Sequence, residues 1–140
     1  MAKLNNQKPA RKMKVLHSES TICFDVDDTL IIWDRHSLDL TNNELDGRVI
    51  IVDENDGKPS SHIVHTRHVE FLKKQSAKGH NIIVWSASGT KWAESVVRAL
   101  GLEPFVDVVM AKPQRYVDDI KDAGHIIGQH VYLDIDGFSI

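Results

Sequence analysis

The sequence contains little that would crosslink the chain or anchor it in a membrane. It has one cysteine, Cys23, so it cannot form an internal disulfide framework. This cysteine usage is typical of a reducing compartment, and we expect a cytoplasmic protein. No apolar run approaches the roughly 18–20 residues that span a bilayer. Excess charge of one sign is also missing: the formal net charge is −3, which predicts no general attraction to nucleic acid or to anionic membranes.

Length and composition indicate one folded domain preceded by a polar segment. A chain of 140 residues with 41% hydrophobic residues can bury a core without structural crosslinks. Residues 1–14 are polar and rich in lysine and arginine, with little apolar material to tie them to that core. We therefore predict a flexible basic arm over residues 1–14, to which we assign no function, and a single domain over residues 15–140.

Short apolar runs that stop abruptly at polar residues recur along the chain, as expected of buried strands. The runs are residues 21–24, 81–85, 106–110, 116–117 and 130–135. Helical patterns lie at residues 66–78 and 91–100, and each is followed by a glycine. The alternation predicts an α/β fold, a three-layer sandwich with a mostly parallel central sheet. Ligands of such folds bind beyond the carboxyl ends of the strands.

Residues 31–65 interrupt this alternation. Residues 49–52 have the composition of a strand, residues 53–59 are rich in turn formers, and residues 62–64 are suited to a return strand. We predict a β-hairpin flap inserted after the first strand. The insertion is too short to be a separate cap domain.

The end of the first strand carries the residue pair with the clearest chemistry. Asp25 and Asp27 are two positions apart, so their side chains point roughly the same way and can reach one phosphate. Two aspartates with this spacing, found without other motifs, are more often turn formers or helix caps. Here a hydroxyl and an amine, Ser86 and Lys112, follow later strands and are suited to phosphate oxygens. The combination predicts that Asp25 is a nucleophile and Asp27 a general acid and base.

Phosphate binding is predicted for four positions around this pair. Thr29 is suited to hold the turn after the strand by hydrogen bonding, and the backbone next to Ser86 offers amides to phosphate oxygens. The predicted phosphate-binding residues are Ser86, Ala87, Lys112 and Thr29.

The order of these motifs resembles that of the haloacid dehalogenase superfamily, in particular its small capless phosphatases. The first motif is Phe24-Asp25-Val26-Asp27-Asp28-Thr29-Leu30, the second Val84-Trp85-Ser86, the third Lys112-Pro113 and the fourth Tyr116-Val117-Asp118-Asp119. The resemblance covers about residues 20–120. It implies a Rossmann-like sheet, Mg²⁺ and an aspartyl-phosphate intermediate. The presence of Asp27 resembles the phosphatase branches rather than the dehalogenases, which lack this second acid.

The resemblance also implies a metal held by Asp25, by the backbone carbonyl of Asp27 and by an acid of the fourth motif. Two acidic pairs compete for this last position: Asp118 with Asp119, and Asp134 with Asp136. We predict Asp119 as the ligand, with Asp118 orienting Lys112 or a metal-bound water. The pair at 134 and 136 has no helix after it and is typical of a closing strand.

Histidines at every third position, His62, His65 and His68, suggest a transition-metal site. We do not predict one, because the three straddle a strand and the start of a helix. Contact between one of them and the substrate is the favoured interpretation. For Trp92 we expect packing of its helix onto the sheet, and for Trp33 either the substrate pocket or the core.

The predicted function is a Mg²⁺-dependent phosphomonoester hydrolase. One alternative is a receiver-like phosphoacceptor domain, but receivers carry the phosphorylated aspartate on a middle strand, after an earlier acidic pair. The other is a catalytically silent binding module, although all four motif positions are filled. A site without a cap admits a nucleotide, a sugar phosphate, a protein phosphate or a nucleic-acid end. The sequence decides neither the substrate nor the oligomeric state, and it predicts no membrane association.

Overall fold

The computed structural model describes residue 16, residues 20–33 and residues 45–119. The predicted arm over residues 1–14, the predicted strand over 130–135, and Asp134 with Asp136 lie outside the described residues. The strands are β1 (Thr21–Asp25), β2 (Ile31–Ile32), β3 (Leu45–Val52), β4 (Pro59–His65), β5 (Asn81–Ser86) and β6 (Val108–Ala111). The helices are α1 (Thr66–Ala77) and α2 (Thr90–Ala99), with a 3-10 turn at Glu103–Phe105. Neither α-helix is long and apolar enough to cross a membrane.

A parallel sheet of order β1-β5-β6 forms the centre of the described structure. Its central strand has apolar residues on both faces, and Ile82 and Val84, which share one face, are completely buried. The register places Phe24 opposite Val84 and Ser86 opposite Ala111. The three carboxyl ends therefore meet at one edge, which confirms the mostly parallel α/β sheet. The three-layer arrangement stays a prediction.

The two helices contribute apolar faces to the same core. Leu72 of α1 and Val96 of α2 are fully buried, and α2 packs on both β5 and β6. The chain leaves α1 through Gly79, with φ 93°, and α2 through Gly101, with φ 66°. Both φ values lie in the left-handed region that favours glycine, so the predicted helix ends are confirmed.

A second, antiparallel sheet of order β2-β4-β3 lies within the predicted insertion. β3 and β4 pair as a hairpin, with Val52 opposite Pro59. The hairpin is attached to α2, because the Glu54 N–H donates to Ser95 Oγ at 3.0 Å and the Glu54 carboxylate forms an ion pair with Arg98. The predicted hairpin is thus present, whereas its action as a flap stays a prediction.

The predicted strand at residues 116–117 is wrong. Residues 112–119 have no helix or strand, and Tyr116 and Val117 are 53% and 102% exposed. A run of two apolar residues between Arg115 and Asp118 offers too little surface to bury, so local composition does not hold this segment in a sheet.

Candidate active site

A tight turn after β1 brings two carboxylates to the edge of the parallel sheet. The N–H groups of Thr29 and Leu30 both donate to Val26 O, at 3.1 and 2.9 Å. Asp28 adopts φ 61° in this turn, a conformation that aspartate tolerates better than most residues. The chain therefore reverses immediately beyond Asp27.

Both oxygens of the Asp25 carboxylate are engaged. Lys112 Nζ lies 2.9 Å from Asp25 Oδ1, and Thr29 Oγ1 donates to Asp25 Oδ2 at 3.0 Å. The Lys112 N–H donates to Ser86 O at 3.0 Å, which fixes the end of β6 against β5. Since the Asp25 and Lys112 side chains stay 36% and 40% exposed, the ion pair contributes little to stability. Its consequence is a charge-balanced carboxylate that remains open to solvent.

Asp27 lies in a denser set of hydrogen bonds. Trp33 Nε1 and Trp92 Nε1 donate to its Oδ1, at 3.1 and 3.0 Å. Ser86 Oγ and Ser88 Oγ donate to its Oδ2, at 3.3 and 3.5 Å. Among the described residues, the two acids of the motif therefore have different surroundings: Asp25 has a lysine, the Thr29 hydroxyl and an open face, whereas Asp27 has four neutral donors.

These contacts give Trp33 and Trp92 a role that the sequence did not predict. Trp92 does pack on the buried face of α2, as expected, but its indole N–H also bonds to the acid. The available signal was chemical: a buried indole usually finds a hydrogen-bond partner, and a nearby carboxylate is a strong one. The sequence separation of 65 residues between Asp27 and Trp92 hid that partner.

The turn from β5 into α2 holds the predicted phosphate-binding segment. Ser86 is fully buried, and its Oγ accepts the Ser88 N–H at 3.0 Å while its carbonyl accepts the Gly89 N–H at 3.2 Å. Ala87 lies exposed at the apex of this turn, and α2 begins at Thr90. The hydroxyl of Ser86 therefore faces Asp27, and the exposed backbone beside it leads into a helix N-terminus, where amides favour anions.

The three histidines are buried beside the site. The rings of His65 and His68 stack with centroids 3.5 Å apart, and His62 meets the Trp33 ring edge-on at 4.3 Å. His68 Nδ1 bonds to the backbone carbonyl of Thr29. Burial and the neighbouring His68 lower the pKa of His65 to about 4. With exposures of 3% or less, the rings pack beside the turn after β1, and contact between one of these histidines and the substrate stays a prediction.

Asp118 and Asp119 are exposed in the irregular segment that follows Lys112. Across residues 20–33 and 45–119, no three acidic, histidine or cysteine side chains are grouped as a metal site. The assignment of Asp119 as a metal ligand and of Asp118 as its neighbour therefore stays a prediction.

A cavity of about 280 Å³ lies against the two indoles that bond to Asp27. Its lining includes Trp33 and Trp92, whose rings are stacked with centroids 6.2 Å apart, together with Ser88. The hairpin contributes Lys58 and Ser60 to the same lining. Because the same two indoles bond to Asp27, the cavity adjoins this acid.

Comparison of the sequence with known protein families indicates which family the chain belongs to. The sequence model of the family described as NLI interacting factor-like phosphatase matches residues 20–125, a span that contains every site residue named above. Searches of curated proteins and of solved structures found no significant match. The family match confirms the resemblance to haloacid dehalogenase phosphatases, and it favours an enzyme over the receiver-like and silent alternatives. The chain belongs to the NLI interacting factor-like phosphatase family, whose members are phosphatases of the haloacid dehalogenase superfamily.

Proposed function

We propose that this phosphatase hydrolyses phosphomonoesters through an aspartyl-phosphate on Asp25, with Asp27 as general acid and then general base. The observation that carries the proposal is the contrast between the two carboxylates. Asp25 is open and paired with Lys112 at 2.9 Å, as suits a nucleophile. Asp27 is held by four donors beside a cavity, as suits a group that exchanges protons in a fixed direction.

In the first step, an oxygen of Asp25 attacks phosphorus and the bond from phosphorus to the leaving oxygen breaks. Asp27 gives its proton to that oxygen. Thr29 holds the attacking carboxylate in place from 3.0 Å, and Lys112 reduces the repulsion between this carboxylate and the phosphate. The backbone at Ala87 and the Ser86 side chain are assigned to the remaining phosphate oxygens.

In the second step, Asp27 is a carboxylate and takes a proton from water. The water oxygen attacks phosphorus, the bond between phosphorus and Asp25 breaks, and inorganic phosphate leaves. The two steps together restore both acids to their starting forms.

We propose Mg²⁺ as the cofactor, held by the Asp25 carboxylate, the Asp27 backbone carbonyl and Asp119, with Asp118 beside it. The first two groups fit, because both are hard oxygen ligands from one turn, the donors that Mg²⁺ prefers. When bound, the ion would shield the charge of the phosphate from Asp25. The third ligand rests on the resemblance alone.

For the substrate we propose a phosphorylated small molecule or a phosphate on a macromolecule. The exposed face of Asp25 supports access by either. The cavity beside Asp27 is assigned to the leaving alcohol, since the acid must lie next to the leaving oxygen.

The test is release of phosphate across nucleotides, sugar phosphates, phosphopeptides and phosphorylated oligonucleotide ends, with and without Mg²⁺, by the wild type and by Asp25→Asn. The amide is nearly isosteric but is not a competent nucleophile, so the variant should fold and lose activity. Asp28→Asn is the matched control, because asparagine tolerates φ 61° and can still accept a hydrogen bond. More than a few per cent of wild-type turnover in Asp25→Asn, with contamination excluded, would contradict the proposal.

A further inference from the structure

The two oxygens of Asp27 face donors of different kinds. Among the residues that the structure describes, Oδ1 accepts from the indole N–H groups of Trp33 and Trp92, at 3.1 and 3.0 Å, and from no other donor. Oδ2 accepts from the hydroxyls of Ser86 and Ser88, at 3.3 and 3.5 Å. An indole nitrogen can only donate, whereas a hydroxyl can rotate and accept instead. The carboxyl group is therefore asymmetric in its surroundings.

We infer that Trp33 and Trp92 are positioning residues that occupy Oδ1 of Asp27 and leave Oδ2 as the oxygen through which this acid transfers its proton. A proton on Oδ1 would displace two N–H groups that have no means of accepting it. A proton on Oδ2 requires only that a serine hydroxyl turn to accept it. The inference rests on the proposed acid and base role of Asp27.

The geometry around Oδ2 suits transfer to a leaving oxygen. Ser88 is exposed, its hydroxyl is the most distant of the four donors, and it lines the cavity assigned to the leaving alcohol. The leaving oxygen can thus replace Ser88 Oγ at Oδ2. As the bond from phosphorus to this oxygen breaks, its electron pair takes the proton from Oδ2, and Asp27 becomes a carboxylate whose Oδ1 has kept both indole bonds.

Packing fixes the direction of both indoles. Trp92 is 5% exposed on the inner face of α2. The Trp33 ring contacts both the edge-on ring of His62 at 4.3 Å and the stacked ring of Trp92 at 6.2 Å, and the Trp33 backbone N–H donates to Asp28 Oδ1 at 3.2 Å. Donors held this way need little reorganisation during the reaction.

The test compares Trp33→Phe, Trp92→Phe and the double variant with the wild type on aryl phosphates whose leaving groups range from good (p-nitrophenyl) to poor (phenyl). Phenylalanine keeps an aromatic ring and removes the N–H. A good leaving group needs little protonation, so kcat/KM should fall mainly for substrates with poor leaving groups. The ratio of kcat/KM for p-nitrophenyl phosphate to kcat/KM for phenyl phosphate should rise about tenfold. This ratio does not depend on the folded fraction of a preparation, so reduced folding cannot imitate the effect.

Trp85→Phe is the control, since Trp85 is the remaining tryptophan of the chain and, within residues 20–33 and 45–119, has no hydrogen bond to Asp27. It should keep the wild-type ratio. Equal losses for all leaving groups in Trp92→Phe and in Trp33→Phe would overturn the inference. Absence of phosphate release by the wild type on every substrate would instead contradict the proposed function.

The hydrogen bonds from the two indoles to Asp27 can also be tested without measuring turnover. The three indole N–H resonances of the protein are followed by NMR in the wild type and in Asp27→Ala. We expect the resonances of Trp33 and Trp92 to move upfield as they lose a carboxylate acceptor, while that of Trp85 stays. If all three keep their positions, the two indoles do not hold Asp27 and the inference is wrong.

Discussion

The ion pair between Asp25 and Lys112 contributes little to the stability of the fold, and we propose that it contributes to catalysis. The pair is close, at 2.9 Å, but both side chains are more than a third exposed, so solvent screens most of its energy. In the proposed mechanism, the same lysine balances the charge of the phosphate. Its removal should therefore affect the rate and leave the fold nearly unchanged.

The corresponding prediction is that Lys112→Met lowers kcat about 10²-fold, the usual cost of losing one group that stabilises developing charge. The free energy of unfolding should change by less than about 1 kcal/mol. Phosphate release and urea unfolding measure the two effects, and Lys91→Met, at an exposed position of α2, is the control. A large loss of stability with a proportionate loss of activity would show that Lys112 is structural.

The lowered pKa of His65 leads us to expect that the stability of the fold depends on pH. Its pKa is about 4 in the folded protein because of burial, the neighbouring His68 and Arg67, against about 6.5 for an unfolded chain. Between these values the unfolded state binds the proton and the folded state does not. Stability from this group is therefore complete above about pH 6.5 and falls, by up to about 3 kcal/mol, as the pH drops toward 4.

Urea unfolding at pH 7 and pH 5 checks this expectation. His65→Asn removes the titrating ring and keeps a side-chain acceptor at the position that caps α1. The variant should lose less stability than the wild type between the two pH values. His80→Gln, near the surface, should keep the wild-type dependence. Identical curves for His65→Asn and the wild type would contradict the burial argument.

At the residue scale, the spacing of the motifs in the sequence predicted which side chains lie at the strand ends, but not their contacts across the fold. The catalytic and phosphate-binding roles of these residues stay predictions. Asp25, Asp27, Ser86 and Lys112 follow strand ends, and the structure brings them to one edge. Ser86 was assigned to phosphate but its hydroxyl also bonds to Asp27. The indole bonds depend on how α2 and the turn after β1 pack together, and no local pattern encodes that arrangement.

At the scale of elements, the helices were predicted within one residue at each end, because apolar spacing and closing glycines are local signals. β3 begins four residues earlier than residues 49–52 suggested. Its first part contains Gly47, with φ 82°, and a register shift between Leu45 and Arg48, so a bulge concealed the strand. The wrong prediction of a strand at residues 116–117 has a different cause. These residues have the composition of a strand, but they pair with no strand of the described sheets.

The attachment of the hairpin to α2 leads to a prediction at this scale. Glu54→Gln removes the ion pair with Arg98, a partly exposed pair worth less than about 1 kcal/mol. Lys58 and Ser60 line the cavity from the same hairpin, so we expect KM to rise severalfold with kcat nearly unchanged. Glu70→Gln, in an exposed pair with Lys73, is the control. Unchanged KM in Glu54→Gln would show that the hairpin position does not depend on this contact.

At the scale of the whole molecule, the two described sheets contribute different parts of the site. The parallel sheet brings the acids, the hydroxyl and the amine to one edge, and the hairpin contributes Lys58 and Ser60 to the lining of the cavity. The α/β class and the phosphatase chemistry followed from the sequence because strand ends and motif order are visible there. The neighbours of each acid became visible only in the folded chain.

The most direct test of the mechanism is to trap the intermediate in Asp27→Asn. With p-nitrophenyl phosphate the leaving group departs without an acid, whereas hydrolysis of the aspartyl-phosphate still needs the base, so the phosphoenzyme should accumulate. Acid quenching, borohydride reduction and peptide mass spectrometry locate the modified residue. We expect homoserine at position 25 in Asp27→Asn, and none in the double variant that also carries Asp25→Asn. Release of p-nitrophenol by Asp27→Asn without modification of Asp25, or with modification at another residue, would contradict Asp25 as the nucleophile.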